Sequence, residues 1–442
     1  MLKIERWEEL RKIFFQSFQY FLSLIIVRSI TAINGIFLAR FLLSEKFGIF
    51  SNINQLAILL TFFASFGLPS AITKFIAQAK ENKELLNETF NTAQILIFLT
   101  SAIVIIIYFF LCPFLANRIY NKPFLIKYLY FIIFLLLFLT LNNFWIGILQ
   151  GLKIIKSISL INILYNLISL PLIFFLVRKY EISGGIWAFT IANFFGSLLF
   201  FFTIKKYFSL NLNFQKNIAK NILSLTFPTF LSGLVMMPAM WLVTTRLGVT
   251  KNFSEVAYFN IANTFFQFLL FMPLAIGMPL TPTIAENIKN QEKIKELLNK
   301  IMNYLNIFLF ILLLPFLIFS SKIITLLYGN HYLSAVKPFI FVVSAIIPTS
   351  IGYILGYYLL GTGKMWLATL FNGVWFVLFV GSTFFFTYKF GALGAGISFY
   401  IAYLCQAFLM IFYLKNILIK PFRLLQNLIL ISFLVIIFYK LI

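Results

Sequence analysis

Apolar runs long enough to cross a bilayer follow one another from residue 13 to residue 441, and no stretch between them could fold as a soluble domain. About 20 residues at 1.5 Å rise cross a hydrocarbon core of about 30 Å. In lipid the backbone must satisfy its own polar groups, and runs of this length do so as helices. The runs are 13–38, 49–72, 90–111, 124–149, 157–177, 184–204, 222–245, 256–283, 301–320, 338–360, 366–388 and 391–414. A thirteenth, 424–441, either spans or lies in the interface. The fold class is therefore all-α integral membrane. A hydrophobic share of 62% against 11% charged agrees, since a soluble surface needs more polar residues.

The charge pattern gives orientation and exclusions. The net charge is +23, but Lys and Arg sit in short loops and form no basic module for nucleic acid. With the N-terminus inside, 21 of the 35 cations fall on the inner side and 13 on the outer, leaving Arg28 within the first span. That bias follows the positive-inside rule, and the loop cations face anionic lipid head groups. All 12 acidic residues are Glu, which removes Asp-based metal–nucleotide motifs and aspartate dyads. Two distant cysteines, Cys112 and Cys405, and one histidine, His331, offer neither a disulfide framework nor a metal set. No cofactor and no enzymatic chemistry are expected, and without a nucleotide-binding motif this chain does not use ATP. Residues 1–12 are charged and read as an amphipathic lead-in rather than a cleavable signal.

A duplication at an offset of about 210 residues organises the chain. Lys83-Glu-Leu-Leu-Asn87 recurs as Lys295-Glu-Leu-Leu-Asn299, each after a Gly-x-Pro, Gly67–Pro69 and Gly277–Pro279. Gly151 matches Gly361, Asn162 matches Asn372, Gly184 matches Gly394, and Ile191-Ala192 matches Ile401-Ala402. Arg40 and Arg246 end the first and seventh spans. Six spans per copy give both halves one orientation, as in several secondary transporters. The expected domains are a six-helix lobe at 1–204, a cytoplasmic linker with a short amphipathic helix at 205–221, a second six-helix lobe at 222–414, and an extra hydrophobic segment at 415–442.

The stretch LARFLLSEKFGIFSNINQLAILLTFFASFGLPSAITKFIAQ resembles the N-terminal signature of the polysaccharide-transporter, or oligosaccharide flippase, family. QGLKIIKSISLINILYN and GTGKMWLATLFNGV resemble its paired segments, as do YEISGGIWAFTIA and KFGALGAGISFYIA. The family belongs to a superfamily with multidrug and toxic compound extruders and peptidoglycan-precursor flippases. The resemblance implies a MATE-like fold of two pseudo-symmetric six-helix lobes, twelve core spans, and a multi-pass place in the cytoplasmic membrane. It implies a monomer that carries oligosaccharide on a polyprenyl (di)phosphate and serves a glycan polymerase or ligase. The run 424–441 departs from the even span count of most members.

Such a substrate needs cations in the cleft for its phosphate, and intramembrane cations mark sites by default. Arg28 lies mid-span, flanked by Ser29, Thr31 and Asn34 in a polar stripe; a guanidinium binds oxyanions bidentately. Arg28, Asn34, Arg40, Lys74 and Arg246 are the candidate substrate-binding residues. Structural readings compete: interface anchoring for Arg40 and Arg246, the positive-inside rule for Lys74, and helix-packing hydrogen bonds for polar residues such as Asn142. Prolines such as Pro228, Pro238, Pro273, Pro279 and Pro282 interrupt the seventh and eighth spans. Three rivals are weighed. An ion-coupled exporter of drugs or cations wants a mid-span carboxylate, and no Glu lies mid-span. A membrane glycosyltransferase or polymerase wants a large outer loop or an acid–base pair at the interface. A peptidoglycan-precursor flippase stays close, with two extra helices where this chain has one extra run.

Overall fold

The computed structural model describes residues 2–209 and 213–441, without the side chains of residues 2–21, Leu24, Ser232 and Met278. The side chains of the lead-in at 1–12 lie outside the described residues. Among those described, nine helices are long and apolar enough to cross a membrane. Three of them bend sharply at a single residue into two legs: α1 (Leu2–Ser65) at Leu43, α5 (Ile155–Ile204) at Glu181 and α14 (Met365–Tyr413) at Gly391. Each fold supplies two of the expected spans. The seventh span is broken into α6 (Lys216–Leu234) and α7 (Met237–Thr250).

The chain assorts into two compact units that do not follow chain order. The first unit holds the chain up to Phe41 together with Ile53–Met237; the second holds Leu42–Asn52 and Pro238 onward. The start of the second span thus belongs with the later half, and α6 with the earlier half.

The first unit contains the first leg of α1, the rest of its second leg, α2 (Leu68–Ala79), α3 (Lys83–Phe114), α4 (Ile126–Gly151), α5 and α6. The run expected at 49–72 is not one helix. Its leg stops at Ser65, and α2 starts at Leu68 and runs on to Ala79. Phe66 and Gly67 both take positive φ, and Pro69 in the first turn has no N–H to continue the earlier ladder. The core between α2, α3, α4 and α5 is built from Leu68, Ile72, Phe90, Ile97, Phe144 and Phe200.

The linker is pinned to the start of α3. Ser209 N donates to Asn87 Oδ1 at 3.1 Å, Gln215 N to Thr92 Oγ1 at 3.1 Å, and Gln215 Nε2 to Glu88 Oε1 at 3.0 Å. Its described residues form no separate amphipathic helix; 216–221 are the opening turns of α6. These bonds satisfy linker polar groups that an independent helix would otherwise have to cover.

The second unit contains α7, α8 (Phe253–Leu269), α9 (Phe271–Glu286), α10 (Gln291–Ile318), α11 (Ser320–Tyr328), α12 (Val336–Ser344), α13 (Ile346–Gly361), α14 and α15 (Pro421–Leu441). Segment 42–52 is tied into it by polar contacts: Asn52 Nδ2 donates to Thr244 and Thr245 Oγ1 at 3.0 and 3.1 Å, and Asn260 Nδ2 to Ser51 Oγ at 3.0 Å. The thirteenth run is a lengthwise neighbour of this unit. Helix α15 seats Leu424, Leu428 and Val435, while Phe422, Leu430 and Phe433 stay more than half exposed. Tyr400 and Ser432 share a hydrogen bond of 2.8 Å, and Tyr439 meets Phe341 at 5.5 Å. Its 21 residues reach about 32 Å, enough to span. It runs antiparallel to the second leg of α14 and ends beside the start of α12.

The repeat is written into the backbone. Positive φ occurs at Asn121 (50°) and Gly329 (99°), at Lys153 (62°) and Gly363 (77°), and at Glu181 (51°) and Gly391 (56°). Each pair stands at the offset of the sequence duplication. The fold residues Glu181 and Gly391 also share ψ, −123° and −131°.

Candidate functional site

The first leg of α1 carries a charge within its apolar span, Arg28. Leg and α5 are joined by small polar contacts: Ser23 Oγ donates to Ser159 Oγ at 2.9 Å and Asn34 Nδ2 to Ser169 Oγ at 2.6 Å. Further along, Phe41 packs edge-on against Phe174 at 5.8 Å. Residues 23, 34 and 41 therefore define the face of the leg turned to α5. Arg28 lies about 140° around the helix from Ser23, off that face. Gly35, two turns further on, shares Arg28's side of the leg. A Cβ placed on Gly35 would meet nothing within 4 Å, so the helix surface is uncrowded at that position. Arg28 itself is half-buried. It stands about 18 Å along the helix axis from Arg40.

Asn34 occupies a different setting. It is 1% exposed, its Nδ2 is spent on Ser169, and its Oδ1 has no hydrogen-bond partner. It belongs to the α1–α5 seam. Arg40 is exposed three residues before the fold at Leu43, and Lys74 is exposed on α2. Arg246, in the second unit, is half-buried with its guanidinium 4.9 Å from the Phe384 ring; its Nε is buried and unpartnered. Within the first unit, Arg28 and Asn34 thus share a leg but not a face, and Lys74 sits apart on its own helix.

Several polar residues go beyond the sequence reading. Arg178 stacks on Phe174 at 3.9 Å and Phe41 at 4.8 Å, closing the α1–α5 seam with a cation–π contact. Asn142, read from the sequence as a helix-packing residue, is the hub of a buried cluster. Its Nδ2 donates to Asn193 O and Oδ1, both at 3.1 Å, and its Oδ1 accepts from Ser197 Oγ at 2.7 Å. The signal for that cluster was in the sequence: Asn193, Gly196 and Ser197 fall on one side of a helix at i, i+3 and i+4. From Glu45 onward, every glutamate lies within about two turns of a helix end or fold.

Long apolar helices, three of them bent at a defined residue, define a multi-pass integral membrane protein. Solved structures agree on the fold. The chain is similar to the lipid II flippase MurJ in an inward closed conformation, with TM-score 0.77 and 16% identity over 96% of this chain and 97% of that one. It is similar to an inward-facing multidrug resistance MATE family transporter of the MOP superfamily, with TM-score 0.75 and 16% identity over 90% and 98%. A MOP superfamily transporter from Pyrococcus furiosus, described by the reverse polarity of its binding pocket, matches with TM-score 0.67 and 16% identity over 92% and 96%.

The chain belongs to the polysaccharide biosynthesis protein family, whose profile matches residues 13–288. It is also 32% identical over 199 residues to an uncharacterized membrane protein of Methanocaldococcus jannaschii, covering 42% of this chain and 46% of that protein. The chain thus spans about half the length of the curated relative that it matches.

Proposed function

We propose that this protein flips oligosaccharide linked to polyprenyl phosphate or diphosphate from the inner to the outer leaflet of the cytoplasmic membrane, by alternating access. The observation that carries the reading is Arg28, a half-buried guanidinium within the first leg of α1 in a member of the polysaccharide biosynthesis family. A permanent cation in hydrocarbon is costly and is retained where an anion needs it. The phosphate bridge of the substrate is that anion; it would pair with Arg28 as the head group leaves water. Arg246, with its Nε unpartnered, would offer a second cation in the later half. Arg40 and Lys74, both exposed, would draw the phosphate toward the helix ends. Asn34 would act indirectly, holding the Arg28 leg against α5 through Ser169.

The placement of the glutamates supports an anionic over a cationic cargo, since exchange of organic cations calls for a carboxylate in the span. The glycan would pass on to a polymerase or ligase, and the carrier would work as a monomer among membrane lipids. The test is reconstitution in liposomes with a fluorescent polyprenyl-diphosphate oligosaccharide. Wild type transports it, and Arg28→Ala lowers the rate at least tenfold while keeping the melting temperature. Transport of a cationic dye without transport of the glycolipid would sink the reading.

A further inference from the structure

The outer end of the second unit holds a cavity that the flipping reading does not use. It has a volume of 420 Å³, within the range of about 300–1,000 Å³ typical of small-ligand sites. Glu255, Ser321, Ser334, Lys337 and Phe390 line it, from the starts of α8, α11 and α12, the 3-10 turn Asn330–Ala335 and the fold of α14. With the N-terminus inside, the connections bearing these residues all face outward.

The lining decides the chemistry of the occupant. Glu255 Oε2 accepts the N–H of Ala392, which fixes the carboxylate at the head of the second α14 leg. A carboxylate has about four acceptor positions, so it keeps capacity for a donor from a ligand. Opposite in charge, Lys337 is exposed and stands 5.9 Å from the Tyr439 ring at the end of α15. A bare anion would meet Glu255 and a bare cation would meet Lys337. A neutral polyol suits both, because each hydroxyl donates and accepts. Phe390 is 51% exposed and offers a ring against which the apolar face of a pyranose can lie.

We propose that this cavity is a saccharide-binding site that engages sugar hydroxyls of the glycan on the outer side. The inference rests on the flipping reading for the source of its ligand, but its chemistry is tested separately. Purified protein is examined by saturation-transfer NMR with three water-soluble probes: a neutral hexose trisaccharide, inorganic phosphate and choline. The trisaccharide gives contact signals with wild type, and Phe390→Ala and Ser334→Trp each weaken its binding roughly tenfold, a change of about 1.4 kcal/mol. Melting temperature and elution profile establish that both variants are folded. Signals from phosphate or choline in place of the sugar overturn the proposal, as does trisaccharide binding that neither variant changes. Flipping without trisaccharide binding would remove this site alone, whereas binding without flipping would remove the transport reading alone.

Discussion

Equivalent helices in the two units solve one packing problem in opposite ways. In the first unit Asn142 projects from α4 and Gly196 makes room on the second leg of α5; a Cβ there would come within 2.8 Å of Tyr165 Cδ1 and 3.3 Å of Asn142 Nδ2. In the second unit the glycine stands on the other helix. Gly352 of α13 occupies the Asn142 place, and Gln406 of α14 occupies the Gly196 place. Gln406 Nε2 donates to Phe371 O at 3.2 Å and Asn372 Oδ1 at 3.1 Å. The repeat has kept the close approach of two helices and let the polar group change sides. A membrane interface needs small residues for contact and one amide as glue, and either helix can supply each.

Where the backbone leaves no freedom, the units should respond alike, and the effect should be largest. A Cβ on Gly184 would strike the Leu176 carbonyl, and one on Gly394 would strike the Phe386 carbonyl. Each glycine lies just past the fold of its long helix, where the two legs turn back on each other. Gly184→Val and Gly394→Val should each cost more than about 3 kcal/mol by overpacking against backbone. The measurement is the yield of monodisperse protein in detergent. A well-behaved Gly394→Val beside a collapsed Gly184→Val would break the equivalence of the two folds.

The next effect separates the units. Asn142→Gly strips three hydrogen bonds from a buried cluster and leaves Ser197 without its side-chain acceptor, a cost of about 2–3 kcal/mol. Gln406→Ala removes two bonds from one donor and should cost about 1–2 kcal/mol. The sharper test transplants the pattern of the second unit into the first. In a Tyr165→Ala background, which removes the ring that a Cβ at 196 would strike, Asn142→Gly combined with Gly196→Gln should recover part of the melting temperature lost by Asn142→Gly. No recovery would mean that the shared geometry does not extend to side-chain interchange.

These contrasts mark what the sequence could carry. Run lengths read out thirteen apolar segments, and all of them fold as helix, with 49–72 and 222–245 each broken into two, because span length is a property of local composition and the breaks are not. The duplication was legible through Lys83–Asn87, which opens α3 after its cap Asn82, and Lys295–Asn299, which lies one turn into α10 after its cap Asn290. The folds at Leu43 and Glu181 were not legible, since neither residue advertises a positive φ. Nor was the assortment of 42–52 with the later half, which depends on partners such as Thr244 about 190 residues away. Arg28 stood out from its apolar flanks. The role of Asn34 in a helix seam required sight of Ser169 across the interface.

The backbone repeat predicts gains as well as losses, of smaller size. Lys153 holds φ 62° where its counterpart is Gly363 at φ 77°. A side chain in the left-handed region costs roughly 1 kcal/mol relative to glycine. Lys153→Gly should therefore raise stability by about 0.5–1 kcal/mol, and Gly363→Ala should lower it by a similar amount. A Cβ on Gly363 meets nothing within 4 Å, so its penalty is backbone alone. Thermal melts of the two variants should move in opposite directions, and movement in the same direction would mean that the turns differ in more than their residue type.

The smallest effect bears on the element that the first half has no copy of. Helix α15 is held by apolar contact over most of its length, with Tyr400 and Ser432 as its polar tie. Hydrogen bonds between membrane helices average about 0.6 kcal/mol, because the separated helices find other partners. Ser432→Ala should thus lower the melting point by only a degree or two, while Leu428→Ala, which empties a buried site, should cost about 2–3 kcal/mol. The order of these two losses is the discriminating result. If Ser432→Ala proved the more damaging, α15 would be anchored by its polar tie. If Leu428 dominates, the thirteenth helix is a packed member of the second unit, held there by the same shape fit that joins the repeated helices.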